Sequence, residues 1–132
     1  MVLDTSAVVA ILLEEDEAEE FARLIAADAE SAISAVTCHE TSIVMAARKR
    51  SVQAANLVDD LVRNLAIQIV ALDATGSLAA RDAYFRFGRG YHPAKLNFGD
   101  CFAYALAKAR DEPLLFKGDD FLKTDVVPAW RP

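Results

Sequence analysis

Short apolar runs alternate with longer stretches of helical periodicity along this chain. Met1 to Asp4 is apolar up to its closing acid and predicts a first strand. A helix follows over Ala7 to Leu13, capped by Thr5 or Ser6. Residues 16–28 predict a second helix, with Phe21, Leu24 and Ile25 on one stripe. Ala32 to Ser34 reads as a short strand. Thr37 to about Arg50 reads as a helix, with Val36, Glu40, Ile43, Val44 and Ala47 on one apolar face. Gln53 to Asn64 predicts an amphipathic helix through Ala54, Leu57, Val58, Leu61 and Val62, and Ile67 to Leu72 a buried strand. Thr75 to Phe87 predicts a helix, Gly88 to Gly99 a loop, Asp100 to Arg110 a helix and Pro113 to Phe116 a strand. Asp119 to Leu122 reads as a turn or short helix and Val126-Val127 as an edge strand.

Such alternation predicts an α/β fold, a three-layer α/β/α sandwich around a short, mostly parallel sheet. With no internal repeat or linker, residues 1–132 read as one domain. A sheet of this kind binds ligands outside the C-terminal ends of its strands, at a switch point. That rule selects among the 20 acids of the chain. Asp4 ends an apolar strand. Glu40 sits on the apolar face of its helix, where a carboxylate needs a partner or a cation. Asp100 opens a helix directly after a loop, and Asp119 follows a strand and a glycine, with Asp120 as the alternative. Taken singly, Asp4 could be a helix cap, Asp100 an acid favoured by the helix dipole, and Asp119 a turn former. Together they fall where a parallel sheet delivers residues to one edge. Carboxylates gathered there repel, and one takes up a proton unless a cation intervenes. All-oxygen ligands suit Mg²⁺, with Mn²⁺ able to substitute, rather than zinc.

Composition narrows the class without naming a function. Hydrophobic residues make up 54% and charged residues 26%, the balance of a globular protein rather than a disordered one. The longest apolar run, Ala7 to Leu13, stops at Glu14-Glu15-Asp16-Glu17, so neither a membrane span nor a signal segment is expected, and the expected location is the cytoplasm. Cys38 and Cys101 lie far apart in apolar patterns and read as buried free thiols of a reducing compartment. The net charge of −6 argues against a protein that coats nucleic acid electrostatically. Arg81, Arg86, Arg89, His92 and Lys95 nevertheless form a locally basic stretch with only Asp82 against them. Arg86, Arg89, His92 and Lys95 could grip a phosphodiester backbone and Tyr91 could stack on a base. Arg48-Lys49-Arg50 reads as a dipole-stabilised helix end.

Several blocks are similar to the PIN-domain family, and within it to the VapC-type toxins of bacterial toxin–antitoxin pairs. These are Met1-Val2-Leu3-Asp4-Thr5-Ser6-Ala7, Ser34-Ala35 through Glu40-Thr41, Leu96-Asn97-Phe98-Gly99-Asp100 through Ala107, and Leu114-Leu115-Phe116-Lys117-Gly118-Asp119-Asp120-Phe121 followed by Thr124-Asp125-Val126. The resemblance covers nearly the whole chain. It implies a magnesium-dependent endoribonuclease that inhibits translation by cutting tRNA, rRNA or mRNA. By the same resemblance Asp4, Asp100, Glu40 and Asp119 are the catalytic metal ligands, while Thr5, Ser6 and Asn97 hold carboxylates or water. It also implies a homodimer and a cognate antitoxin that lays a basic segment across the acidic groove. The helices at 16–28 and 53–64 are candidate surfaces for either contact.

Other readings compete. Cys38 and Cys101 adjoin site residues, but no histidine at a useful spacing supports a thiol nucleophile; His39 points off the Glu40 face. An aspartyl-phosphate enzyme would also place Asp4 after its first strand, yet Ser6 stands where such a phosphatase has its second acid. A PIN fold kept as a non-catalytic scaffold is the remaining alternative.

Overall fold

A computed structural model describes residues 1–131. Four short strands, β1 (Val2–Leu3), β2 (Ala32–Ser34), β3 (Gln68–Val70) and β4 (Leu114–Leu115), form one sheet in the order β3-β2-β1-β4. Every pairing is parallel, with Val2 opposite Ala32 and Leu114, and Leu3 opposite Ile33 and Leu115. Six α-helices connect them: α1 (Thr5–Leu12), α2 (Ala18–Ala27), α3 (Ala35–Lys49), α4 (Asn56–Asn64), α5 (Ala74–Phe87) and α6 (Asp100–Arg110). No helix among the described residues is long and apolar enough to cross a membrane.

Strand alternation divides the core in two. Val2 and Leu114 face a cluster with Ala80, Ala83 and Phe87 of α5 and Cys101, Ala103, Tyr104 and Ala107 of α6. Leu3, Ile33 and Leu115 face the other cluster, with Ala7, Val8, Phe21, Ile25, Met45 and Val58 from α1 to α4. The sheet is thus the middle layer of the expected sandwich. Trp130 closes the second cluster by packing edge-on against Phe21, 5.2 Å between ring centres.

Local detail departs from the sequence reading in several places. Asp4 itself caps α1, its side chain accepting from the Ser6 N–H, so the helix starts at Thr5. Ser34 caps α3 in the same way, and that helix starts at Ala35 rather than Thr37. Its buried face is Thr37, Cys38, Thr41 and Met45. The expected apolar face is instead a rim, where Ile43 is 57% exposed and Glu40 is half-buried. Thr37, Cys38 and Thr41 turn inward instead, with Thr41 Oγ1 3.4 Å from Thr5 Oγ1 at the start of α1. The segment 53–64 splits into a 3₁₀ turn (Val52–Ala55) and α4. β3 is an edge strand with Ile69 half exposed, because it has a neighbour only in β2. A 3₁₀ turn covers Phe121–Lys123, and residues 126–127 form no strand; an isolated bridge joins Leu114 to Pro128.

The chain steps from β1 outward to β2 and β3, then returns through α5 and α6 to β4 on the other side of β1. The order therefore reverses between β1 and β4, and their C-terminal ends flank the crevice where such sheets bind ligands.

Candidate metal centre

Asp4 stands at the end of β1 with its N–H still bonded to Leu115 O, so the sheet ladder orients it. Its side chain is buried, 3% exposed. Oδ2 accepts from Ser6 N at 2.9 Å and Ser6 Oγ at 2.6 Å, whereas buried Oδ1 has no hydrogen-bond partner. Ser6 Oγ in turn accepts from Lys117 N at 3.0 Å, which stitches the end of β1 to the end of β4. Burial raises the Asp4 carboxyl above its usual range; the Ser6 bonds oppose this and the charge of Glu40 adds to it.

Asp100 lies across the crevice at the start of α6. Its Oδ2 accepts from Asn97 N at 2.7 Å while Asn97 Oδ1 accepts from Asp100 N at 2.9 Å, a reciprocal cap of the kind that fixes a helix start. Burial pushes the Asp100 carboxyl up to about 7, helped by the charges of Asp4, Glu40 and Asp120. Glu40 approaches from α3. Thr5 Oγ1 donates to its Oε2 at 2.7 Å, and the carboxylate lies against Gly99, where any Cβ would come within 2.3 Å of both oxygens. No role was assigned to Gly99 from the sequence; only the packing of Glu40 reveals that a side chain at that position would displace its carboxylate.

Gly118, at φ +96°, turns the chain after β4 so that Asp119 and Asp120 reach the same depression. Asp4, Ser6, Asn97, Asp100, Asp119 and Asp120 line this hollow of about 370 Å³. Asp119 also borders a neighbouring hollow beside Trp130, and it is Asp120 whose charge is felt at Asp100. Lys117, whose partners were not read from the sequence, donates from Nζ to Glu15 at 2.9 Å and Glu17 at 2.6 Å, which holds the α1–α2 turn against β4 and raises its own pKa.

The basic stretch is placed beside the hollow rather than in it. Arg86 pairs with Asp125 at 3.4 Å and lies over the Phe87 ring. His92 is half-buried, its Nδ1 accepting from Ala94 N at 3.1 Å and its ring edge-on to Phe87. Lys95 is exposed in the left-handed region, and Arg89 shares an open depression with Asn97. Asp125, part of a family-like block, is a tether: Tyr104 Oη donates to it, and Lys108 pairs with it. Cys38 and Cys101 are buried free thiols, and burial raises both, Cys101 to about 12, so neither forms a thiolate near neutrality.

No three His, Cys, Asp or Glu side chains among the described residues are drawn close enough to hold an ion together. Asp100 Oδ2 is turned back onto Asn97 N. The donor chemistry nonetheless fits a hard cation. Asp4 offers an unpartnered buried carboxylate oxygen, Asp100 resists ionisation because of burial first and the charge of Asp4 second, and beside the ammonium groups of Lys117 and Lys123 the hollow is lined by four carboxylates, the Ser6 hydroxyl and the Asn97 amide, all of which can offer oxygen.

A parallel sandwich that gathers carboxylates at its switch point defines a class of α/β proteins with a site suited to a hard divalent cation, and comparison with known proteins names the family within it. The PIN domain profile matches residues 1–127. "Ribonuclease VapC30" of Mycobacterium tuberculosis is 43% identical over 132 residues, all of both chains. "Ribonuclease VapC" of Mycolicibacterium smegmatis is 46% identical over 127 residues, 96% of this chain and 98% of that protein. Among solved structures, the Mycobacterium tuberculosis VapC20 toxin, described as cleaving the sarcin–ricin loop, superposes with a TM-score of 0.79 at 17% identity, covering 99% of this chain and 98% of the other. VapBC2 from Rickettsia felis, bound to a DNA fragment from its promoter, gives 0.72 at 17% identity, covering 96% and 94%. This chain belongs to the PIN-domain family, and its curated relatives are VapC ribonucleases.

Proposed function

We propose that this chain is the toxin of a type II toxin–antitoxin pair, an endoribonuclease whose metal ion is held by Asp4 and Asp100 with Glu40 and the Asp119-Asp120 pair around them. The observation that carries the site assignment is the sharing of one switch-point hollow by Asp4 and Asp100, with Asp4 Oδ1 left without a partner. We assign Mg²⁺ as the ion, with Mn²⁺ able to replace it. When bound there, such an ion polarises a phosphoryl oxygen and brings its water towards ionisation near neutral pH.

The chain's own residues do the positioning. Ser6 holds Asp4 Oδ2 and leaves Oδ1 free to face the ion. Thr5 holds Glu40 through its Oε2, and Gly99 leaves room for both carboxylate oxygens. Asn97 fixes the entry to α6 and with it the direction of Asp100. Between Asp119 and Asp120, the influence of Asp120 on Asp100 favours Asp120 as the fourth acid. An aspartyl-phosphate role asks Asp4 to attack as a nucleophile, which its 3% exposure and its bonds to Ser6 oppose.

The partners in this reading are an RNA and an antitoxin, the latter covering the acidic hollow with a basic segment, since Arg pairs well with carboxylates. Its place of action is the cytoplasm, where translated RNA is found. The test is incubation of the pure protein with RNA and Mg²⁺ or Mn²⁺, beside an Asp100→Asn control. Cleavage that needs the ion and disappears in the control supports the reading; equal cleavage by both proteins refutes it. Heat released on Mn²⁺ titration separates an enzyme from a bare scaffold, which has no use for an ion site.

A further inference from the structure

The residue immediately before Gly99 is unusual. Phe98 is 74% exposed, although it sits two positions from half-buried Asp100. It leans edge-on against Phe102, 5.0 Å between ring centres, and leaves most of its surface to solvent. With Tyr84, Arg89 and Asn97 it lines an open depression of about 410 Å³. Asn97 also lines the acidic hollow, so the two concavities share that residue.

The loop that builds this depression is held at both ends. Leu96 N donates to Phe87 O and Arg89 N to Leu96 O, both at 3.0 Å, and the Asn97–Asp100 cap continues the rigid frame into α6. Exposed Tyr91 and Phe85 extend the aromatic surface, 5.5 Å apart edge-to-face. Residues 81–95 carry Arg81, Arg86, Arg89 and Lys95 against Asp82, in a chain of net charge −6. A second copy of the same face would set these cations against themselves. A polyanion with flat apolar bases matches both the charge and the rings.

We propose that Phe98 is a stacking platform for an unpaired RNA base next to the scissile phosphate, with Arg89 beside it for the backbone. The proposal rests on the ribonuclease reading and deepens it: the substrate enters single-stranded or with a base turned out at the cut. A stacked base holds the strand over the acids without touching them, so Phe98 is a specificity-determining residue and not a metal ligand.

The experiment uses full-length Asp100→Asn protein, which binds without cutting, and a fluorescein-labelled single-stranded RNA. Adding Phe98→Ala should weaken binding by roughly 5- to 100-fold, the range for one stacked base. Phe98→Trp should restore it, and RNA should quench the new tryptophan relative to the parent, which has only Trp130. The unfolding midpoint should be unchanged in both variants, since the ring is mostly solvated. Binding equal to the parent in Phe98→Ala removes the platform while leaving the ribonuclease assignment intact. No RNA binding by the Asp100→Asn parent removes both. A loss of dimer in Phe98→Ala by sedimentation, with RNA affinity per subunit unchanged, would show that a second copy covers this ring and would overturn the proposal.

Discussion

Replacing Asp100 by Asn should stabilise the fold above neutral pH. Burial first, then the charge of Asp4, raises this carboxyl from 3.8 to about 7. That difference corresponds to about 4 kcal/mol of preference for the uncharged form, at 1.36 kcal/mol per tenfold change in proton affinity. The unfolded chain ionises the group near 3.8 and the folded chain near 7, so between those values the folded state binds the extra proton. Folding stability in chelator therefore falls as pH rises through this window and levels off above about 7. Asn keeps an acceptor for the Asn97 N–H, bonded at 2.7 Å, and carries no charge. With local relaxation and water entry we expect the variant to be about 2–4 kcal/mol more stable than the parent at about pH 8.5, and much less different at about pH 5. Urea unfolding with EDTA at both pH values measures this, and excess Mn²⁺ should stabilise the parent alone. Equal stability of the parent at the two pH values, or no gain from the variant at the higher one, would falsify the charge argument.

Other substitutions separate the roles of neighbouring groups. Gly99→Ala puts a methyl within 2.3 Å of both Glu40 oxygens; that obstacle is the end of a flexible side chain. The fold should survive, with Glu40 displaced from Thr5 and RNA cleavage reduced at least about tenfold, roughly 1.4 kcal/mol of barrier; unchanged cleavage would mean that Glu40 has no part in the chemistry. Asp120→Asn should weaken Mn²⁺ binding more than Asp119→Asn in calorimetric titration, and the reverse order would move the fourth acid to Asp119. Ser6→Ala removes the 2.6 Å donor to Asp4 and the acceptor of Lys117 N. It should cost about 1–3 kcal/mol in chemical denaturation. It should also weaken Mn²⁺ binding more at acidic than at alkaline pH, because Asp4 then protonates more readily.

The layers of the fold were legible because alternating apolar runs and helical stretches survive in β1, β2, α2, α5 and α6 almost residue for residue. Burial of α3 was not legible. Its core side is built from Thr37, Cys38, Thr41 and Met45, and the Thr41 hydroxyl bonds to Thr37 O and faces Thr5 while the buried Thr37 hydroxyl has no partner, so polarity hid the inward face. β3 looked buried because Ile67, Ile69 and Val70 are apolar, and only the strand order shows that one side has no neighbour. For the site, strand ends pointed to Asp4 and to the Asp119-Asp120 pair, and the helix start to Asp100. Glu40 was chosen for lying on a face taken to be buried; the structure places it on a half-buried rim, within reach of Thr5 and Gly99. The roles of Lys117 and Gly99 were not legible because each matters through a contact with a distant segment.

The Gly88–Leu96 bridge makes residues 88–96 a closed clip that hangs from α5 and α6, whereas Asp4 and Ser6 are sewn into the β1–β4 seam. Residues inside the clip can change without reopening that seam. Exchanging residues 88–96 as a cassette is therefore expected to change the surface that the clip presents while Asp4 and Ser6 keep their places.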